Sequence, residues 1–128
     1  MLPTTREWVS KAEIDYDVVL MLRRSRKRGR HDPLCFHAQQ CVEKYLKARL
    51  TEAGIEFPKT HDLPVLLNAV VSVEPLWSGM GRSFKALTHM GIMPRYPGMT
   101  ATIDDAARSF RTCTEFRKLA RERLGFAR

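Results

Sequence analysis

The chain lacks any apolar run near the roughly 20 residues that a membrane-spanning helix requires, which excludes an integral helical membrane protein. Cysteine is scarce and odd in number: Cys35, Cys41 and Cys113 stand at no metal-ligand spacing. Each falls in an apolar helical pattern where a thiol acts as a small hydrophobe, so neither a disulfide framework nor a structural zinc is expected, and no metal or cofactor is implied. Alternating apolar and polar residues, the mark of a half-buried strand, are missing, as are internal repeats and low-complexity tracts. The start, Met1 to Trp8, has no apolar core and no cleavage-site pattern, so it does not read as a secretory signal and a cytoplasmic location is expected. Carboxylates are the minority charge, with 14 acidic residues against 22 basic ones and a net charge of +8.

The excess of cations is unevenly spread. Arg23, Arg24, Arg26, Lys27, Arg28 and Arg30 crowd one segment ahead of His31, while Arg117, Lys118, Arg121, Arg123 and Arg128 load the C-terminal end. Such patches attract phosphate backbones by counterion release and point to nucleic acid; a solubilising surface is the plain alternative. A length of 128 residues suits one domain with a real core, and residues 1–128 are read as a single domain.

Helix signals are dense. The first helix is expected to open at a capping box, Thr4-Thr5-Arg6-Glu7, and to run to about Arg28 before Gly29, with Trp8, Ala12, Tyr16, Val19 and Leu22 inward. Asp32 is expected to cap a second helix that has Pro33 in its first turn and Gly54 just past its end. A third runs from Thr60 or Asp62 to Val71, burying Leu63, Leu66, Leu67 and Val70. Pro75 opens a less regular fourth through Trp77, Phe84 and Leu87, weakened by Gly79 and Gly81. Gly91, Pro94, Pro97 and Gly98 then exclude regular structure from Gly91 to Thr100. The last helix begins at Thr102 and ends near Gly125, with Ile103, Ala106, Phe110, Cys113 and Ala120 as its buried stripe. The fold class is all-α: an antiparallel up-and-down helical bundle of four main helices plus a short extra helix.

Polar residues of the second helix are sorted by face. At about 100° per residue, His37, Gln40, Lys44, Lys47 and Thr51 fall within an arc of about 80°, beside an apolar face that carries Leu34, Ala38, Cys41, Tyr45 and Ala48. An imidazole, an amide and two ammonium groups in a row suit a planar anion such as a nucleotide or an RNA segment; a solvated helix flank is the alternative. Asp15 lies between Ala12 and Val19 on an apolar seam, where its carboxylate needs a partner such as His61, Lys44 or a backbone amide. His61, within Thr60-His61-Asp62, either meets phosphate at a helix start or belongs to a cap. Arg95 and Tyr96, held between Pro94 and Pro97, present a guanidinium and a ring that suit phosphate and base, or else clasp their loop onto the bundle.

Trp8, Ala12 and Asp15, then the run from Phe36 to Ala48, then Lys59-Thr60-His61-Asp62-Leu63, and finally Arg95-Tyr96-Pro97 together resemble the HEPN domain family, in order and over nearly the whole chain. The resemblance implies a helical bundle that commonly forms homodimers. It also implies a nucleotidyltransferase partner of the minimal type (MNT) in two-gene, toxin-antitoxin-like systems of bacteria and archaea. Some members are metal-independent endoribonucleases, and others bind nucleotides or RNA without cleaving them. The ribonuclease branch carries an arginine, four to six residues and then a histidine close to the last helix. Here no histidine follows His89, and the spacing is met instead by Arg24 or Arg26 with His31, by Arg30 with His37 and by Arg82 with His89. Three of these draw on the basic cluster; Arg82 and His89 stand apart, nearly two helical turns from each other.

The expected function is therefore a nucleotide- or RNA-binding HEPN protein, a homodimer working with a nucleotidyltransferase. The residues expected to bind are His37, Gln40, Lys44, Lys47, His61, Arg95 and Tyr96, with Arg23, Arg24, Arg26, Lys27, Arg28 and Arg30 as a nucleic-acid patch. Two alternatives stay open, a metal-independent endoribonuclease toxin and a non-catalytic module that docks a partner protein.

Overall fold

The computed structural model describes residues 1–126. Its helices are α1 (Pro3–Arg24), α2 (His31–Glu52), α3 (Leu63–Val70), α4 (Gly81–Ile92) and α5 (Ile103–Leu124), with 3-10 turns at Pro75–Met80 and Met93–Arg95. The described residues contain no strand, and the fold is an all-α helical bundle. No helix among them is long and apolar enough to cross a membrane.

Helix α2 is the centre of the bundle and touches α1, α3, α4 and α5. Contacts with α1 pair Leu2 with Glu52, Glu13 with Tyr45 and Asp15 with His37, so these two helices run antiparallel. Contacts with α5 rise together, Asp32 to Ala101 and then Tyr45 to Arg121, so α2 and α5 run parallel. The core gathers the apolar face of α2, from Leu34 through Tyr45 to Leu50, with Val19, Leu66, Leu87 and Cys113 from the other helices. Trp77 and Phe84 each meet Phe116 edge-on, at 4.9 and 5.1 Å between ring centres. These three rings are within 4% of full burial.

Two helix ends follow the glycine signals. Past α2, Gly54 takes a positive φ of 71°, and the amides of Gly54 and Ile55 return to the carbonyls of Thr51 and Leu50. Gly125 closes α5 in the same way, and at its other end Thr102 and Asp105 form a reciprocal capping box. Elsewhere local signals were overridden. The capping box expected at Thr4 is absent: α1 starts at Pro3 without a side-chain cap, and Thr5 is drawn into the interior. α1 stops at Arg24 rather than Arg28, because Ser25 turns extended and its hydroxyl accepts from the Lys27 amide. Asp32 does not cap α2; it accepts from the Ala101 amide at 2.7 Å and ties the start of α5 to the start of α2. Pro75 opens a separate 3-10 turn ahead of α4, and regular structure continues through Gly91. A Cβ on Gly91 would stand 2.7 Å from that of Gln39, so its absence is what lets α4 lie close on α2. Ile103 is 70% exposed rather than buried.

Candidate functional site

Two carboxylates organise the polar row of α2. Asp15 of α1 accepts from His37 Nδ1 at 2.8 Å and from Lys44 Nζ at 2.5 Å. Glu43, on α2 itself, holds Lys47 Nζ at 2.9 Å and His61 Nδ1 at 2.8 Å. The Gln39 amide donates to Glu43 at 3.2 Å and to the His61 carbonyl at 2.8 Å, and Gln40 donates to Gln39 at 2.7 Å. Asp15, Glu43 and Lys47 are all buried, so each charge must be matched where it lies. Lys47 also stands 5.5 Å from the centre of the Trp8 ring. The structure thus joins His37 and Lys44 in one cluster and Gln40, Lys47 and His61 in the next. Each cluster has its carboxylate, and the histidines turn only their second ring nitrogens elsewhere. Asp15 was legible from its apolar seam; Glu43 was not singled out, although its place one turn before Lys47 was a signal.

Arg95 stacks at 4.2 Å over the ring of Phe36, which in turn meets His37 edge-on at 5.0 Å. A cavity of about 230 Å³ opens beside it, bounded by Pro33, Gly91 and Pro94. Tyr96 is 57% exposed. Arg95 therefore adjoins the His37 end of the α2 row and lies apart from the Glu43 end.

Most of the C-terminal cations are structural. Arg117 grips Glu13 through two nitrogens at 2.8 and 2.6 Å, and Arg121 reaches the same carboxylate at 3.4 Å. Burial pushes the Glu13 carboxyl up, but hydrogen bonds from Arg117 and Tyr45 more than offset it and leave its pKa below the ordinary value. Tyr45 is moved the other way, its phenol held protonated by burial and by its bond to Glu13. Arg49 and Arg123 share Glu74 at 2.7 and 3.0 Å. Lys118 is exposed, and Arg128 lies outside the described residues. The three cysteines are free and buried, and burial raises the thiol pKa of Cys35 and Cys41, which makes them poor nucleophiles. Among the described residues no group of His, Cys, Asp and Glu is placed to hold a metal.

A cavity of about 720 Å³ lies between α4 and α5, which touch each other far less than each touches α2. Leu87 and Met90 supply apolar lining, and Arg82, Lys85, His89 and Arg111 stand around it. Arg82 and His89 both reach this groove because α4 is unbroken from Gly81 to Ile92. Arg108 is closed onto Asp105 at 2.6 Å, whereas Arg82, Lys85 and Arg111 have no ion pair among the described residues. A smaller groove of about 370 Å³ shares Arg111 and Glu115 and extends to Phe110, over whose ring Arg23 stacks at 4.0 Å. Arg24, Arg26, Lys27 and Arg28 are exposed beyond it, and Arg30 is bent back to the Lys27 carbonyl. Sequence reasoning held only the spacing of Arg82 and His89; no local pattern joins α4 to the face of α5.

Comparison with known proteins agrees with the family signature. Residues 5–123 match the sequence profile described as "HEPN domain". A protein of Methanocaldococcus jannaschii named "Putative toxin MJ1304" is 30% identical over 96 residues, a stretch that covers 70% of this chain and 61% of that protein. The chain thus spans under two thirds of the length of that relative. No solved structure matches it.

Proposed function

The chain belongs to the HEPN domain family, and from that premise we propose that it is a toxin-like protein that binds RNA or a nucleotide and works with a nucleotidyltransferase partner in a two-gene system. The similarity to a protein named as a toxin supports the setting. The observation that carries the binding reading is the distribution of unmatched charge. The cations of the α2 row rest on Asp15 and Glu43, while Arg82, Lys85 and Arg111 beside the α4–α5 groove have no carboxylate partner among the described residues. An anion approaching the groove gains charge-assisted contacts without breaking existing ones. At the α2 row it would share His37, Lys44, Lys47 and His61 with buried carboxylates, so that row, with Gln40, Arg95 and Tyr96, is the weaker of two binding faces.

The test is anisotropy of a labelled single-stranded RNA at several salt concentrations. Affinity should fall steeply with salt, and reversing Arg26, Lys27 and Arg28 to Glu should flatten the slope of log affinity against log salt. An unchanged slope would make the linker a solubilising surface. Light scattering at micromolar concentration should report a homodimer.

A second reading has its own observation, since Arg82 and His89 line one groove at the spacing of the ribonuclease branch. His89 would act as general base on a ribose 2′-hydroxyl and Arg82 would stabilise the phosphorane charge, with no metal required. Incubation of RNA with the protein in EDTA should then yield cyclic-phosphate ends that the His89→Ala variant does not produce.

A further inference from the structure

We infer that the α4–α5 groove is a site for a phosphomonoester, carried by a free mononucleotide or by the end of an RNA chain, and that it discriminates this group from the internal phosphodiesters of the same chain. The inference rests on the RNA- or nucleotide-binding reading and names what that site selects.

Charge balance is the first argument. Arg108 and Asp105 in the lining neutralise each other at 2.6 Å. What is left is Arg82, Lys85 and Arg111 against the single carboxylate of Glu115, two positive charges in excess from these side chains. A phosphomonoester carries close to two negative charges near neutral pH, whereas an internal diester carries one. Across this open cleft the doubly charged ligand gains more Coulomb attraction from that excess than the singly charged one.

Size and lining are the second argument. A volume of about 720 Å³ falls in the range of small-ligand sites, and Leu87 and Met90 offer apolar surface to a base or ribose while the cations stand at the rim. A stretched RNA backbone would find its next support at the smaller neighbouring groove, where Arg23 and Phe110 stack and Arg111 is shared. An RNA end seated between α4 and α5 would therefore leave its chain running over α5 toward the Arg24–Arg28 linker.

The experiment compares ten-nucleotide RNAs, labelled at the far end, that carry a 5′-phosphate, a 5′-hydroxyl, a 3′-phosphate or a 3′-hydroxyl, with AMP and adenosine titrated by calorimetry. One phosphorylated end should bind about tenfold more tightly than its hydroxyl counterpart, and AMP should bind where adenosine does not. Arg82→Ala and Arg111→Ala should abolish that advantage, and Lys118→Ala, an exposed cation outside the groove, should keep it. Equal affinity for all four ends would overturn the inference and leave RNA binding standing. Binding of AMP without any RNA would overturn RNA binding and leave the groove as a mononucleotide site. An advantage that survives undiminished in both groove variants would place the phosphate elsewhere, and the end comparison in the unsubstituted protein decides the matter even if a variant fails to fold.

Discussion

The α2 row and the α4–α5 groove carry similar side chains and opposite electrostatics. Both present ammonium or guanidinium groups beside a histidine, at helical spacing. In the row, Lys44 and Lys47 are locked on buried carboxylates and help to hold α1, α2 and the segment before α3 together. In the groove, Arg82, Lys85 and Arg111 stand exposed without such partners among the described residues. A cationic pattern on one helix therefore says little about ligand binding until the residues packed against it are known, because a buried carboxylate converts a binding group into a bolt.

The contrast can be broken by variants, of which Lys47→Ala should have the largest effect. It leaves Glu43 buried with His61, Gln39 and Gln40 as partners but no ammonium group, and should cost about 3 kcal/mol of stability in chemical denaturation. A loss below about 0.5 kcal/mol, the scale of ordinary surface changes, would show that Lys47 is free to serve a ligand after all. Gly91→Ala should come next, at about 2 kcal/mol, because its new methyl collides with Gln39 and pushes α4 from α2. Since α4 forms one wall of the groove, RNA affinity should change in the same variant.

Arg82→Ala and Arg111→Ala sharpen the other side of the comparison. Each should leave the melting temperature nearly intact, since both side chains are exposed, while RNA affinity drops about tenfold, or about 1.4 kcal/mol. The smallest expected effect is a pH dependence at Glu13, outside both regions. Its carboxyl titrates below the ordinary value when folded, so its contribution is fully present above the unfolded pKa and is lost as pH falls through the folded one. The stability gap between the unsubstituted protein and Glu13→Gln, about 1 kcal/mol at neutral pH for this partly exposed pair, should shrink as pH falls from about 5 to 3. A gap that stays constant over that range would mean the network acts through packing rather than charge.

Helical content, the stops at Gly54 and Gly125, the start of the last helix at Thr102 and the need of Asp15 for a partner were all legible in the sequence, because each depends on residues within a turn or two. The same local reasoning failed at Thr4, at Asp32 and across Gly91. There the deciding contact came from another element: Thr5 was drawn into the core, the Ala101 amide took the Asp32 carboxylate, and Gln39 required a glycine opposite it. The family signature was legible as well, since its motifs are local runs along α2, the start of α3 and the turn at Arg95.

The sequence by itself determined that this chain folds into helices, where most of them stop, and that it carries far more cations than anions, since periodicity, capping and net charge are sums over near neighbours. Only the tertiary structure decided which cations are neutralised and which remain to meet a ligand. Glu13 meets Arg117 across 104 positions and Asp15 meets Lys44 across 29, and the groove exists only where α4 and α5 fail to close on each other. Charge pairing depends on distance in space, and distance in space is what a helical repeat along one element does not contain.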